Sequence, residues 1–301
     1  MIARTNDAAR ETDDLRQCIW WACALEATAP KPGNVSPLAS FPDLCYEDFL
    51  RSANVVAPLL AEARQRGVGR TIYEAIRATQ DVVGRNTNLG IVLLLAPLAA
   101  VDPTVPLDQG IESVLNGLTV EDAGWAYQAI RLAAPGGMGR VSAEDLSATP
   151  TRPLREIMRL AADRDTIARE YASGFSIVLR FGVWALGDLK RWLDGWDETI
   201  VGLHLVLMAR FPDTLIARKS GRLVAREAAR HAQAVLDAGW PHTPKSQQRL
   251  RALDAWLRAD GHRRNPGTTA DLVTACLFAA FRDRRMELPD LDDLPLDLSD
   301  S

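Results

Sequence analysis

The chain predicts an all-α protein, a multi-helix array around a buried central helix, and three observations lead there. No segment sustains the apolar/polar alternation of Val, Ile and aromatics that a half-buried strand needs, whereas almost every periodic stretch carries Ala, Leu, Arg and Glu at helical spacing. Those stretches are punctuated by Gly, Pro and Asp, the residues that end helices. Finally, Leu89 to Val101 is an uncharged run opening directly from a small polar loop, the pattern of a helix buried on every side.

Length and composition frame what the array can be. With 301 residues, 47% hydrophobic and 25% charged, the chain can fill a sizeable core, and residues 1–286 read as a single all-helical domain. Residues 287–301 hold six acids and no base, interleaved with Pro and Leu, and read as an acidic, disordered tail. A net charge of −4 argues against a broad nucleic-acid or anionic-membrane surface, so any anion is met locally. The four cysteines, Cys18, Cys23, Cys45 and Cys276, form no C-x-x-C pair and read as free thiols of a reducing compartment; the cytoplasm is the expected location. The N-terminus lacks an apolar signal-peptide core and no apolar run is long enough to span a bilayer.

In order, residues 7–28 form the first expected helix, stopped by Pro30 and Pro32; a Pro-rich loop with turn residues Gly33 and Asn34 then runs to Cys45. Helices are expected at 46–66, 71–83, 88–101, 107–117 and 120–133. Residues 135–152 form a Gly/Pro/Ser/Thr connector, taken as a flap within one domain. Helices resume near 153–163, 165–181, 183–193, 197–210, 219–238, 245–259 and 269–284.

Four polar clusters interrupt this pattern, each next to a helix terminus. They are Glu26 with Ala29-Pro30-Lys31-Pro32-Gly33-Asn34 and then Asp43; Asn86-Thr87-Asn88; the run from Phe211 to Gly221 with Asp213, Arg218 and Lys219; and Asn265-Pro266-Gly267-Thr268-Thr269-Ala270-Asp271. Asn86, Thr87 and Asn88 precede the apolar helix, where free N–H groups and the positive end of the dipole favour an anion; plain capping uses the same residues, and both readings stand on this stretch alone. Arg218 and Lys219 sit at an expected helix start, where cations oppose the dipole and a bound polyanion would explain them. Thr268 or Thr269 can cap the last long helix, with Asp271 in its first turn. If the clusters converge, cations and helix starts suit phosphates, and Glu26, Asp43, Asp213 and Asp271 offer oxygen ligands for a hard cation such as Mg²⁺. That inventory describes a nucleotide-handling site without a P-loop or a dinucleotide fingerprint. The histidines weigh little: His204 and His231 fall on packed stripes, and His242 and His262 lie in polar loops without ligand spacing.

With the clusters in order, the chain resembles the triphosphoribosyl-dephospho-CoA synthase family over roughly residues 20–285. The matching pieces are Lys31-Pro32-Gly33, Gly84-x-Asn86-Thr87-Asn88-x-Gly90-Ile91 with Leu93 to Leu98, Asp213-Thr214 with Arg218, and Pro266-Gly267 with Ala270-Asp271-Leu272. The resemblance implies an all-helical transferase that moves the triphosphoribosyl group of ATP to dephospho-CoA or a related acceptor and releases adenine. It implies that Lys31, Arg218 and Lys219 clamp triphosphate at the Asn86–Asn88 helix start, with Asn34, Thr268 and Thr269 as further substrate contacts. Asp213 and Asp271 would bind Mg²⁺, and Glu26 or Asp43 would be the general base. Where the citrate-lyase type has Gly-x-His-x-Asp-Met, this chain reads Ser40-Phe41-Pro42-Asp43-Leu44, and it lacks the mid-chain Gly-x-Arg-Gly-Glu block. It is more similar to a branch found in archaea and in bacteria with C1-carrier metabolism. Transfer of a phosphorylated ribose to a pterin-like C1-carrier precursor, N-glycoside hydrolysis, and a non-catalytic helical nucleotide-binding scaffold are the alternative readings.

Overall fold

The computed structural model describes residues 2–134 and 146–290, with side chains from residue 10 onward. Its described residues are helical, with no strand and a single isolated bridge between Ser36 and Ala39. The elements are α1 (Ile2–Thr28), α2 (Tyr46–Ala61), α3 (Ala63–Arg66), α4 (Val68–Val83), α5 (Leu89–Ala99), α6 (Leu107–Asn116), α7 (Val120–Ala133), α8 (Leu154–Ala161) and α9 (Thr166–Ser173). A π-helical segment, Ile177–Gly182, then leads into α10 (Val183–Trp192), followed by α11 (Trp196–Arg210), α12 (Thr214–Ser220), α13 (Arg222–Asp237), α14 (Pro244–Arg258) and α15 (Gly267–Arg282). The expected flap lies mostly outside the described residues (135–145 of it), as does 291–301 of the expected tail; Leu288, just before the latter, packs on the core.

The uncharged run became α5, and every residue of it except Gly90 is buried. α15 is its match: all of Thr268 to Phe281 is buried apart from Asp271, and the two helices pack on each other. Burying a Leu or Ile contributes about 1.5–3 kcal/mol, so these two helices anchor the main apolar core together with α1, α2, α4 and α7. A second core lies among α11 to α14, built from Val201, Leu205, Met208, Ile216, Ala228 and Leu257. α11 joins the two: Ile200, Leu203 and Leu207 face the first core while Val201, Leu205 and Met208 face the second. The expected packing role of His204 follows, since it is wholly buried there. Cys18, Cys23 and Cys276 are buried free thiols and Cys45 is a partly buried one.

Three expected helices are broken. The stretch 46–66 divides at Glu62 into α2 and α3, and 165–181 divides at Gly174 and Phe175, both left-handed at φ 69° and 59°. The expected 219–238 helix divides at Gly221, whose φ of 98° disfavours any side-chain-bearing residue. This last break changes the electrostatics. Arg218 and Lys219 lie in the last turn of α12, where cations complement the dipole, so the argument that they oppose a helix start is corrected.

Candidate active site

The loops that carry the four clusters open onto one cavity of about 1070 Å³. Glu26, Asn34, Asp43, Asn86, Thr87, Asn88, Arg218, Lys219, Thr268 and Asp271 line it; Lys31, Asp213 and Thr269 do not. The volume sits at the top of the range for small-molecule sites, about 300–1,000 Å³.

Two helix starts face this space. At α5, Asn86 Oδ1 accepts from the N–H of Leu89 at 3.1 Å, so Asn86, not Asn88, makes the side-chain cap. The Asn88 amide is spent on the Thr79 hydroxyl at 3.0 Å, and Thr87 shares a 2.5 Å hydrogen bond with Ser52. These bonds fix the loop and leave the N–H groups of Gly90 and Ile91 without a protein partner. At α15, Pro266 has no N–H, and those of Gly267 and Thr268 are likewise open. Open N–H groups at two helix starts make an anion cradle.

Asp271 stands between them. Gly90 is required here because a Cβ would fall 1.9 Å from Asp271 Oδ2. Among the described residues no hydrogen bond or ion pair is made to the Asp271 carboxylate; burial first, then the charges of Glu26, Asp213 and Asp165, pushes its pKa well above the usual carboxylate range against the pull of Arg218. Arg218 lies 3.8 Å from Asp165, and the Lys219 ammonium has no ion-pair partner; burial, then Arg218, lowers its pKa.

The three residues outside the cavity have other work. Asp213 Oδ1 accepts from the N–H of Ile216 at 2.9 Å, and Oδ2 accepts from the N–H and hydroxyl of Thr269 at 2.7 and 2.8 Å. Asp213 therefore caps α12 and ties it to α15 through Thr269, so the side chains expected to hold Mg²⁺ and to touch substrate are here engaged with each other. Lys31 is 1% exposed and bonds to Glu26 Oε1 at 3.0 Å, to the Ala29 carbonyl at 3.1 Å and to the Glu26 carbonyl. It does not line the cavity, and these three acceptors engage the ammonium that was expected to meet triphosphate. Among the described residues no group of three or more His, Cys, Asp or Glu is placed to hold a metal ion.

Several lining residues escaped the sequence reading. The His262 ring stacks on Phe41 with centroids 3.9 Å apart, and Asn265 Oδ1 accepts from Asn34 Nδ2 at 2.8 Å, docking the loop after α14 onto the loop after α1. Burial, then the Arg258 charge, lowers the His262 pKa. No spacing signal marks His262, whereas Asn265 stands inside the fourth cluster and was within reach.

The family model described as ATP:dephospho-CoA triphosphoribosyl transferase (CitG) matches residues 12–289. The chain belongs to this family. Proteins named as 2-(5''-triphosphoribosyl)-3'-dephosphocoenzyme-A synthase from Pseudomonas paraeruginosa and Pseudomonas syringae pv. tomato are 34% and 32% identical over 112 residues, 37% of this chain. That match spans 38% of the length of each relative. The solved structure of an Archaeoglobus fulgidus protein named as a triphosphoribosyl-dephospho-CoA synthase superimposes with a TM-score of 0.61 at 26% identity, covering 78% of this chain and 98% of that one. Membership in the triphosphoribosyl transferase family agrees with the all-helical fold, and no single described helix is long and apolar enough to cross a membrane.

Proposed function

We propose that this protein transfers the 5-triphosphoribosyl group of ATP to dephospho-CoA or a related acceptor with release of adenine. The observation that carries the reading is the meeting of two open helix starts, an unpaired lysine and an unpartnered carboxylate in one cavity. In this reading the triphosphate lies on the N–H groups of Gly90, Ile91, Gly267 and Thr268 and is clamped by Arg218 and Lys219. Asp271 is the protein ligand for Mg²⁺. A single free carboxylate fits that ion, which commonly takes one or two carboxylates and completes its shell with phosphate oxygens and water. An Mg²⁺ held by Asp271 would supply positive charge to the phosphates and offset the charge of that carboxylate.

The transfer forms a bond from an acceptor ribose hydroxyl oxygen to C1 of the ATP ribose and breaks the C–N bond to adenine. The hydroxyl proton passes to Glu26; adenine leaves with the bonding pair and takes up a proton. Glu26 is preferred over Asp43 because it is buried in the cavity wall and anchored, whereas Asp43 is exposed at the mouth. Charge spread over the sugar in an oxocarbenium-like state is what nearby carboxylates stabilise.

The test is to incubate the protein with ATP and Mg²⁺, with and without dephospho-CoA, and measure free adenine by chromatography. Adenine that forms only with dephospho-CoA, together with a product heavier by the triphosphoribosyl group, is the expected result. Adenine formed equally without acceptor makes the protein an N-glycosidase, and no adenine under either condition removes the transferase reading.

A further inference from the structure

We propose that Lys31 is a positioning residue that acts through Glu26 and makes no contact with the triphosphate. This rests on the reading of Glu26 as the base. The juxtaposition that carries it is a fully enclosed ammonium with all its bonds turned toward the end of α1. Lys31 Nζ meets Glu26 Oε1 at 3.0 Å, the Ala29 carbonyl at 3.1 Å and the Glu26 carbonyl, which uses its three N–H donors. The Glu26 carbonyl lies in the last turn of α1, where the helix dipole is negative, and Ala29 directly follows that helix, so one cation satisfies the helix end and the carboxylate together. The backbone is bent to suit, with the N–H of Lys31 donating to the Ala29 carbonyl at 2.7 Å.

The surroundings leave the ammonium no second position. Glu26 lines the cavity and Lys31 does not. On the α11 side stand Asp197 and the wholly buried His204, both near enough to feel the Lys31 charge, and neither ring nitrogen of His204 has a partner. Reaching phosphate would mean withdrawing a 1% exposed cation from three acceptors and leaving a buried carboxylate unpaired, a costly exchange. Held as it is, Lys31 ties one oxygen of Glu26, and among the described residues no other donor bonds to that carboxylate. The second oxygen stays free for the acceptor hydroxyl. A base fixed in this way keeps its reach to the reacting proton, and small misplacements of such a group cost large factors in rate.

The experiment compares Lys31→Met, Glu26→Gln and the double variant, reading kcat by adenine release and the ATP dissociation constant by calorimetry. Lys31→Met is expected to lower kcat by about 100-fold, the scale of a lost general base, while the ATP constant stays within about twofold. In the Glu26→Gln background the same change is expected to cost less than about threefold more, because residues that act as one unit are not additive. A rise of about 10- to 100-fold in the ATP constant with kcat retained would overturn the proposal in favour of a phosphate clamp. So would full additivity in the cycle. Should Lys31→Met fail to fold, Lys31→Gln keeps two donors for the carbonyls while dropping the charge, and the same two patterns decide. Full kcat in Glu26→Gln would remove the base and this proposal with it, yet adenine release that depends on dephospho-CoA would still support the transferase. If the wild type releases no adenine, the ATP constant of Lys31→Met alone decides: unchanged upholds the placement of Lys31 away from phosphate, and raised overturns it.

Discussion

Asp213 and Asp271 are two acids beside helix starts, close enough that each charge is felt by the other, and the structure treats them in opposite ways. Asp213 is filled: three N–H and O–H donors from Ile216 and Thr269 occupy its oxygens. Asp271 is empty: it is pressed against Gly90, and no donor among the described residues bonds to it. Glu170 stands between the extremes, fully buried and accepting from the N–H groups of Ile177 at 3.0 Å and Val178 at 2.8 Å. A buried carboxylate with its lone pairs satisfied holds the fold together, whereas one left unsatisfied lowers stability and is kept for a ligand. The proposed division between a structural Asp213 and a ligand-binding Asp271 rests on counting donors, not acids.

The comparison breaks first at Asp213. Asp213→Ala should leave two N–H groups and a hydroxyl unpaired, at about 1–3 kcal/mol each if no water replaces the carboxylate, and so destabilise the protein by about 3 kcal/mol or more in denaturant unfolding. A loss below about 1 kcal/mol would show that the α12–α15 tie is dispensable.

Asp271→Asn should do the reverse. Removing an unpaired, half-buried charge is expected to leave the melting temperature of the unliganded protein unchanged or higher, while adenine release falls about 100-fold or more, equivalent to about 2.7 kcal/mol in the barrier. A clearly less stable variant with normal activity would place Asp271 with Asp213 instead.

Glu170 sharpens the scale through pH. Burial raises its carboxyl from 4.5 to about 7 against the pull of the two N–H donors. A carboxyl whose folded pKa is raised favours the folded state while protonated. Its contribution is therefore complete below about pH 4.5 and is lost as the pH rises through 7, by at most about 3.5 kcal/mol at 1.4 kcal/mol per pH unit. Wild-type stability should fall between about pH 4.5 and 7 relative to Glu170→Gln and level off above. Parallel curves would show that the two donors fully offset burial.

The smallest expected effect is at the cavity rim. Arg218→Ala should raise the ATP dissociation constant by about 10- to 100-fold, the loss of a charge-assisted phosphate contact. Because Arg218 lies favourably at the end of α12 and 3.8 Å from Asp165, the unliganded protein should become slightly less stable, by a few tenths of a kcal/mol. Unchanged ATP affinity would reduce Arg218 to a surface ion pair.

Much of this was legible in the residues themselves. Helical periodicity without strand alternation determined the fold class, and the uncharged run from Leu89 onward determined a helix with no wet face, since apolar side chains are driven from water whatever their neighbours. The clusters at residues 26–43, 86–88, 211–221 and 265–271 also marked the cavity wall, because polar residues interrupting helices end up where backbone groups need partners. What tertiary structure alone decided is which of those residues remain free. Asp213 is satisfied by Thr269, 56 positions away, and Phe41 meets His262 across more than 200 residues; no local pattern encodes such pairings. The break at Gly221 likewise moved Arg218 and Lys219 from an expected helix start to a helix end. A lone pair or a donor is available to substrate only if no distant segment claims it, and that is settled when the chain packs.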